Sequence, residues 1–266
     1  MSTITLTTDF GTRDPYVAQL KAALLRNGPR DLRLIDLSHE LIPHDVRGAA
    51  LFVADALPQF PDGTIHVVVV DPGVGSARRP LALQCGTQLC VGPDNGVFSV
   101  LFEAGYRGVE LSPERVGVSQ LSATFHGRDL FAPAAAQLAR GRALHELGTR
   151  LDPSTSELVS VTWPEPTRDA AGFVGEVIHI DHFGNLSTNL RSAQLEVLAR
   201  ELGARAFVLT LRGRSSRIVN HYAEVPEGCL LGVLGSSDRL EIAARNASAA
   251  AATGARIGDR VRLETV

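Results

Sequence analysis

Asp71 is the residue whose position in the sequence most strongly indicates chemistry. It follows Ile65–Val70, in which every residue except His66 is apolar and β-branched. A run of this kind is typical of a strand buried on both faces, as the strands of parallel sheets are. Pro72, Gly73 and Gly75 then predict a sharp turn. Because ligands bind outside the carboxyl ends of strands in open α/β sheets, we expect Asp71 to lie in a functional site.

Two other residues could complete a proton-transfer group with Asp71. Arg78 lies seven positions further on, so the loop can fold back and pair the two charges, which favours the ionised carboxylate. His126 lies just ahead of a predicted helix, and histidine exchanges protons near neutral pH. A single histidine is more often structural, but Arg128 and Asp129 crowd the same turn. Asp71, Arg78 and His126 together could orient a water molecule.

No motif for covalent or metal-assisted hydrolysis accompanies these residues. The sequence contains no nucleophile elbow, Walker A loop or His-Glu-x-x-His motif. Its three cysteines form neither a Cys-x-x-Cys motif nor a Cys/His cluster that would suggest zinc. The residues therefore favour direct attack by water or an anion, with no metal and no cofactor.

Polar residues near the N-terminus provide possible ligand contacts. Asp9 follows the first predicted strand, where an acidic side chain could accept two hydrogen bonds from a ribose diol. Asp14 could contact a ligand, but it could equally cap the helix that follows. The segment Gly92–Gly96 is a strong turn signal, and by itself such a segment is more often architecture than site.

The second half of the chain contains one prominent polar segment and two weaker ones. Within it, Asp181 could pair with an ammonium group and Phe183 could stack on a planar base, although the segment could also be only a tight hairpin. Gly235–Asp238 and Arg245–Ala247 are weaker candidates, the latter close to the start of a helix, where backbone N–H groups are free.

The elements that must position these residues alternate between strand and helix in the first half of the chain. Such alternation predicts an α/β domain with a mostly parallel central sheet. The predicted strands are Ile4–Thr7, Leu32–Ile35 and Ile65–Val70 with a hairpin-like pair over Leu81–Val91, and the predicted helices are Tyr16–Leu25, Val46–Leu57, Val97–Phe102 and Phe131–Leu138.

Short, glycine-punctuated β patterns dominate the second half and predict a smaller all-β, barrel-like domain. They are Gly172–Ile180, Ala206–Leu211, Leu230–Leu234 and Arg260–Glu264, and one alanine-rich helix is predicted over Ile242–Ala252. We therefore predict an α/β N-terminal domain over residues 1–155, a linker over 156–171 and a barrel-like domain over 172–266.

Composition excludes several classes of partner. The formal net charge of −3 lacks the basic excess of a nucleic-acid-binding surface. No apolar run approaches the ~20 residues that span a bilayer, and the N-terminus has no signal-peptide pattern. An odd number of cysteines fits a reducing compartment. These features predict a soluble, cytoplasmic protein with neither a nucleic-acid nor a membrane partner.

Five segments, in order and in approximate spacing, resemble the S-adenosyl-L-methionine (SAM) hydroxide adenosyltransferases, a family related to fluorinases and chlorinases. The segments are TTDFGTRDPYV, VVDPGVGSARR, GPDNG, TFHGRDLFAPAAA and IDHFGNLSTNL. The resemblance implies an enzyme that cleaves its substrate, SAM, with water into adenosine and methionine. Asp71, Arg78 and His126 match the catalytic set of the family, and either Asp71 or His126 would take the proton.

The same resemblance implies a set of substrate contacts in both halves of the chain. Asp9 would hold the ribose hydroxyls, and Asp14 and Asp181 would face the methionine ammonium group. Phe183 and Asn185 would lie at the nucleoside, Arg245 and Ala247 would present backbone groups to adenine, and Ser236 joins the set by a looser match. Related enzymes are homotrimers whose sites lie between the N-terminal domain of one subunit and the barrel of the next.

Two other functions compete with hydrolysis. Halide-using relatives carry an additional N-terminal loop and a Tyr-Ser or Tyr-Gly pair where this chain has His126-Gly127, and the segment His39–Ala50 shows no obvious insertion. Both differences favour water over halide as the nucleophile. A SAM or adenosine sensor with little turnover is the other alternative, but binding alone would not require Asp71, Arg78 and His126.

Overall fold

The computed structural model describes residues 2–152, 157–203 and 206–266 and divides into two compact units. The first extends to Thr162, and the second comprises Trp163–Val266. The predicted boundary between residues 155 and 156 lies outside the described residues, so the predicted domain limits stay a prediction. We describe each unit by itself.

The N-terminal unit alternates strands and helices, as its sequence pattern predicts. Its strands are β1 (Thr3–Thr8), β2 (Arg33–Ser38), β3 (Ile65–Val69), β4 (Pro80–Cys85), β5 (Gln88–Pro93), β6 (Tyr106–Leu111) and β7 (Gly148–Arg150), and its helices are α1 (Tyr16–Asn27), α2 (Val46–Ala56), α3 (Pro113–Val116) and α4 (Ala132–Ala139). A π-helical turn, Gly127–Phe131, leads into α4, and the predicted helix over Val97–Phe102 is a 3₁₀ helix over Ser99–Ala104.

The central sheet is mixed, so the prediction of a mostly parallel sheet is only partly right. Its strand order is β2-β1-β3-β5-β4-β6-β7. The β2-β1, β1-β3 and β3-β5 pairs are parallel, whereas the β5-β4, β4-β6 and β6-β7 pairs are antiparallel. The β4–β5 hairpin, which the sequence predicts, causes the change, because a tight turn at Gly86 returns the chain beside itself.

Strand β3 is buried because helices cover both faces of the sheet. Val67 and Val69 pack in one core with α1 and α4, and Val68 and Val70 pack in the other core with α2. All four side chains are at most 3% exposed, and each buried valine contributes about 1.5–3 kcal/mol relative to an exposed one. The charge of Asp71 therefore appears where the chain leaves this core.

The C-terminal unit is the barrel-like domain that the sequence predicts. Its strands are β8 (Thr167–Arg168), β9 (Gly172–Ile180), β10 (Leu186–Arg191), β11 (Phe207–Leu211), β12 (Arg214–Arg217), β13 (Leu230–Leu234), β14 (Arg239–Ala244) and β15 (Arg260–Thr265), with helices α5 (Ser192–Leu202) and α6 (Ala249–Thr253).

The strands of this unit form a nearly closed antiparallel barrel. The order is β12-β11-β15-β9-β10-β14-β13, with β8 paired to β9. A bridge between Ile218 and Gly232 joins the two ends of this path, and the amide of Val219 donates to the Gly232 carbonyl at 2.9 Å. Closure of this kind removes most of the unpaired edge that an open sheet would expose.

The predicted helix over Ile242–Ala252 is wrong in its first part. Ile242 and Ala244 belong to β14, where they pair with Gly232 and Leu230 of β13 and are at most 4% exposed. Pairing and burial override the helical propensity of alanine here. The helix begins only after Ser248, whose hydroxyl accepts from the Ala251 amide at 3.1 Å.

Candidate active site

A cleft of about 260 Å³ lies at the carboxyl ends of β1 and β3. The two strands are parallel neighbours, with Thr8 opposite Val69, so the residues that follow them emerge at one edge of the sheet. Asp9, Asp71 and His126, all predicted from the sequence as site residues, line this cleft together. The complete lining is Asp9, Phe10, Tyr16, Pro43, His44, Val69, Asp71, Val74, Thr124, Phe125, His126 and Gly127.

Asp71 and Arg78 form the ion pair that their spacing suggests. Arg78 Nε donates to Asp71 Oδ1 and Oδ2 at 3.1 and 3.0 Å, and Arg78 Nη2 donates to Oδ2 at 2.5 Å. The side chains of Asp71 and Arg78 are only 4% and 9% exposed, so water compensates little of either charge and each charge depends on the other. Removing either partner would leave a buried charge uncompensated.

A glycine allows the Asp71–Arg78 loop to approach the His126 segment. Gly75 has a φ of +78°, and a Cβ at this position would lie 2.2 Å from the Ala123 carbonyl oxygen. No other residue fits such a position without moving the backbone. Close approach of these two segments brings Arg78 to His126.

His126 is held as a neutral imidazole by Arg78. Its Nδ1 lies 2.9 Å from Arg78 Nη2, and because a guanidinium only donates, Nδ1 accepts and the proton resides on Nε2. Burial lowers the pKa of His126, and the charge of Arg78 lowers it further against the opposing effects of Asp71 and Asp129. His126 thus presents an N–H donor rather than a free lone pair at Nε2.

Arg78 keeps a further donor in the interior. Its Nη1 is buried and has no hydrogen-bond partner among the residues that the structure describes. The guanidinium also lies over the ring of Phe131, 5.3 Å from the centroid. A buried, unsatisfied guanidinium N–H is costly unless a water or ligand atom accepts from it.

The two N-terminal carboxylates differ in their surroundings. Asp9 lines the cleft, and its Oδ2 accepts from the His44 amide at 2.9 Å. Asp14 is exposed and lies outside the cleft lining. The alternative that Asp14 caps α1 is wrong, because the residue before the helix is Pro15, with no side-chain capping bond.

Sequence reasoning missed an aromatic cluster in the cleft. Phe10, Tyr16 and Phe125 lie edge to face with centroid separations of 5.5 to 6.2 Å. Such rings form a rigid apolar wall. All three lie inside the five motif segments, and Phe10 and Phe125 are directly adjacent to Asp9 and His126, so adjacency to those residues was the available signal.

In the C-terminal unit, Asp181 organises the turn between β9 and β10. Its Oδ1 accepts from the amides of Phe183 and Asn185 at 2.9 and 2.8 Å, and Oδ2 accepts from Asn185 Nδ2 at 2.8 Å. The hairpin alternative is therefore correct for the backbone. The turn displays Phe183, which is 74% exposed, and buries Asn185.

The remaining predicted contacts lie on turns of the same unit. Ser236 is exposed in the turn between β13 and β14. The Arg245 amide donates to the Cys229 carbonyl at 3.1 Å, and the Ala247 amide donates to the Ala244 carbonyl at 3.3 Å. Both N–H groups are thus used within the unit.

The described part of the chain contains neither a metal-binding cluster nor a membrane-spanning helix. No group of three or more His, Cys, Asp and Glu side chains there could hold a metal ion. No helix in the described ranges has the length and apolarity that crossing a membrane requires.

Comparison with known proteins gave matches over nearly the whole chain. Residues 4–148 and 175–262 match the models of the SAM hydroxide adenosyltransferase N-terminal and C-terminal domains. An (R)-S-adenosyl-L-methionine hydrolase of Salinispora tropica is 40% identical over 98% of this chain and 97% of that protein, and a fluorinase of an Actinoplanes species is 32% identical over 73% of each. A solved structure of an uncharacterized conserved protein from Thermotoga maritima superposes with a TM-score of 0.87 at 31% identity, covering 98% of this chain and 99% of that one.

Proposed function

Since this chain belongs to the SAM hydroxide adenosyltransferase family and is a SAM hydrolase, we propose that Asp71, Arg78 and His126 carry out its reaction. The observation that carries this assignment is the bridging guanidinium, whose Nη2 donates to both Asp71 and His126. Asp71 and His126 line a cleft that Asp9 also lines, and Arg78 joins the two side chains from behind that lining.

The reaction is a displacement at C5′ of the ribose. A lone pair of water forms the C5′–O bond while the C5′–S electron pair moves to sulfur, and the products are adenosine, methionine and a proton. The sulfonium leaves as a neutral thioether, so no acid has to protonate it. The enzyme has to orient a water molecule in line with the C5′–S bond and exclude other nucleophiles.

Asp71 is the group that takes the proton in this proposal. His126 Nδ1 is occupied by Arg78, and protonating it would place a second cation 2.9 Å from the guanidinium. His126 Nε2 already carries a proton and can only donate, which suits it to holding the water oxygen. As the C5′–O bond forms, the attacking water becomes strongly acidic, so a carboxylate is a sufficient base.

Substrate contacts follow the roles that the family resemblance implies. Asp9 holds the ribose hydroxyls, which its place in the same cleft as Asp71 supports. Asp14 and Asp181 face the methionine ammonium group. Phe183 and Asn185 lie at the nucleoside, and the exposure of Phe183 supports such a contact. Ser236 and the backbones of Arg245 and Ala247 complete the binding set.

The functional unit in this proposal is a homotrimer in the cytoplasm. Each active site combines Asp71 of one chain with Phe183 of another. In light scattering, the protein is expected at three subunit masses. When Asp71→Asn and Phe183→Ala chains, each poorly active alone, are co-expressed, the mixed oligomers regain hydrolysis. A monomeric mass, or no recovery in mixed oligomers, would contradict the shared site.

Product analysis tests the reaction itself. Purified protein incubated with SAM is expected to release adenosine and methionine in equal amounts, and neither chloride, fluoride nor EDTA changes the rate. A 5′-halonucleoside would identify a halide-using adenosyltransferase, and SAM retained without turnover would identify a sensor. Loss of activity with EDTA, restored by a metal ion, would contradict hydrolysis without a cofactor.

The configuration at sulfur is a second part of the same measurement. Because the Salinispora tropica relative is named for the R epimer, we extend that preference to this chain. A mixture of epimers should lose its R component first. Chiral chromatography measures the rate at which each epimer is consumed. Equal rates for the two epimers would overturn the preference but leave the hydrolase assignment unaffected.

A further inference from the structure

Two buried histidines contact β1 in the same way, but only one of them does so beside the active site. His66 Nδ1 lies 2.7 Å from Thr5 Oγ1 in the middle of the sheet, and His39 Nδ1 lies 2.8 Å from Thr8 Oγ1 where β1 ends. The two histidines are 0% and 5% exposed. Thr8 immediately precedes Asp9, so the second pair is next to a cleft carboxylate.

An irregularity in strand pairing places His39 there. Leu6 pairs with Asp36, but Thr7 pairs with Ser38, so Leu37 is an additional residue in β2. Bulges of this kind redirect side chains and are frequent beside active sites. Without the extra residue, β2 would end one position out of register, and His39 would not reach Thr8.

Hydrogen bonds around His39 are donated in one direction, from the Phe10 amide through Thr8 and His39 toward Asp36. The Phe10 amide donates to Thr8 Oγ1 at 3.3 Å, which leaves the hydroxyl hydrogen for His39 Nδ1. His39 Nε2 then carries the proton and lies 3.1 Å from Asp36 Oδ1, off the line of an ideal hydrogen bond. Asp36 also binds Lys21 at 2.5 Å. Burial would raise the pKa of Asp36, but its contacts with Lys21 and His39 outweigh this effect and lower the pKa.

The backbone after β2 encloses the Asp9 loop from the other side. The Gly11 amide donates to the His39 carbonyl at 2.7 Å, and the His44 amide donates to Asp9 Oδ2 at 2.9 Å. His44 has a φ of +67°, a left-handed conformation that few non-glycine residues adopt. Strain of this kind persists only when neighbouring contacts hold it, and the hydrogen bond from the His44 amide to Asp9 is such a contact.

We infer that His39 is a positioning residue that fixes the orientation of Asp9 toward the ribose hydroxyls of the nucleoside. The inference rests on the proposed role of Asp9. His39 does not touch the substrate; its imidazole holds Thr8, and its backbone carbonyl holds Gly11, on either side of the carboxylate. Loss of the imidazole removes the Thr8 contact, which weakens recognition of the ribose diol and leaves the Asp71–Arg78–His126 group in place.

The test separates the two nitrogens of His39. Asparagine places an amide near the Nδ1 position and glutamine places one near the Nε2 position, so His39→Asn keeps the Thr8 contact and His39→Gln loses it. His39→Gln is expected to raise the KM for SAM about tenfold, the equivalent of one charge-assisted hydrogen bond, with kcat within about twofold of the parent. His39→Asn and the matched core variant His66→Gln should keep the parent KM.

A binding measurement that needs no turnover accompanies the kinetics. By calorimetry, the parent should prefer adenosine to 2′,3′-dideoxyadenosine, and His39→Gln should lose most of that preference, as Asp9→Asn does. This readout remains valid even if the protein fails to hydrolyse SAM, so the two proposals can fail separately. If His39→Gln does not fold by circular dichroism, Thr8→Val is measured against Thr8→Ser in the same way.

Three results would overturn the inference. They are an unchanged KM and adenosine preference in His39→Gln, an equal loss in His39→Gln and His39→Asn, and an equal loss in His66→Gln. The last two would mean that a buried histidine is needed for folding in general and has no particular relation to Asp9.

Discussion

Asp71→Asn is expected to lower kcat by about a thousandfold, within the range observed for loss of a general base, while SAM still binds. The amide keeps the shape of the carboxylate but cannot take a proton, and it removes the negative charge that faces the developing oxonium. Single-turnover measurement of adenosine formation gives the rate, and calorimetry gives the affinity for SAM.

His126→Gln is the matched comparison for the base assignment. Glutamine places an N–H donor near the Nε2 position, so this variant should lose far less activity than Asp71→Asn. The reverse order, with His126→Gln the more damaging, would mean that His126 takes the proton. If both variants lose only a little activity, neither Asp71 nor His126 takes part in the chemical step.

Arg78→Met is expected to abolish hydrolysis and to destabilise the N-terminal unit by about 3–5 kcal/mol, the usual result of breaking a buried ion pair on one side. Asp71 is only 4% exposed and would be left without a counter-charge. His126 would lose its Nδ1 donor at the same time. Hydrogen exchange in peptides covering β3 measures the stability of this region directly.

The double variant Asp71→Asn/Arg78→Met separates stability from chemistry. Replacing both partners removes the uncompensated charge, so most of the lost stability should return while hydrolysis stays absent. Additive destabilisation in the double variant would show that the two side chains do not depend on each other, contrary to the geometry of the pair.

The sequence predicts the site better where the chemistry is local. Asp71 and Arg78 are seven residues apart, and a turn with glycines was enough to suggest their ion pair. His126 lies 48 residues beyond Arg78, and its contact with the guanidinium depends on the approach at Gly75, which no local pattern reveals. His39 was likewise hidden, because a bulge in strand pairing cannot be read from one strand alone.

Errors in the fold have the same origin. The composition of Ile242–Ala252 is typical of a helix, but its first residues form part of β14 and pair with β13. The helix α5 was missed, although Leu195 and Leu198 face the barrel core at helical spacing. The antiparallel half of the central sheet depends on which strand the β4–β5 hairpin joins, and that is a long-range choice.

The position of β15 in the barrel has a consequence for biosynthesis. Although β15 comes last among the strands, it lies between β9 and β11 and supplies both with hydrogen-bond partners. Because the N-terminal unit precedes the barrel in the chain, it can fold while translation continues. The barrel cannot close until residue 265 has emerged, and until then the edges of β9 and β11 that pair with β15 stay unpaired and open to association with other chains.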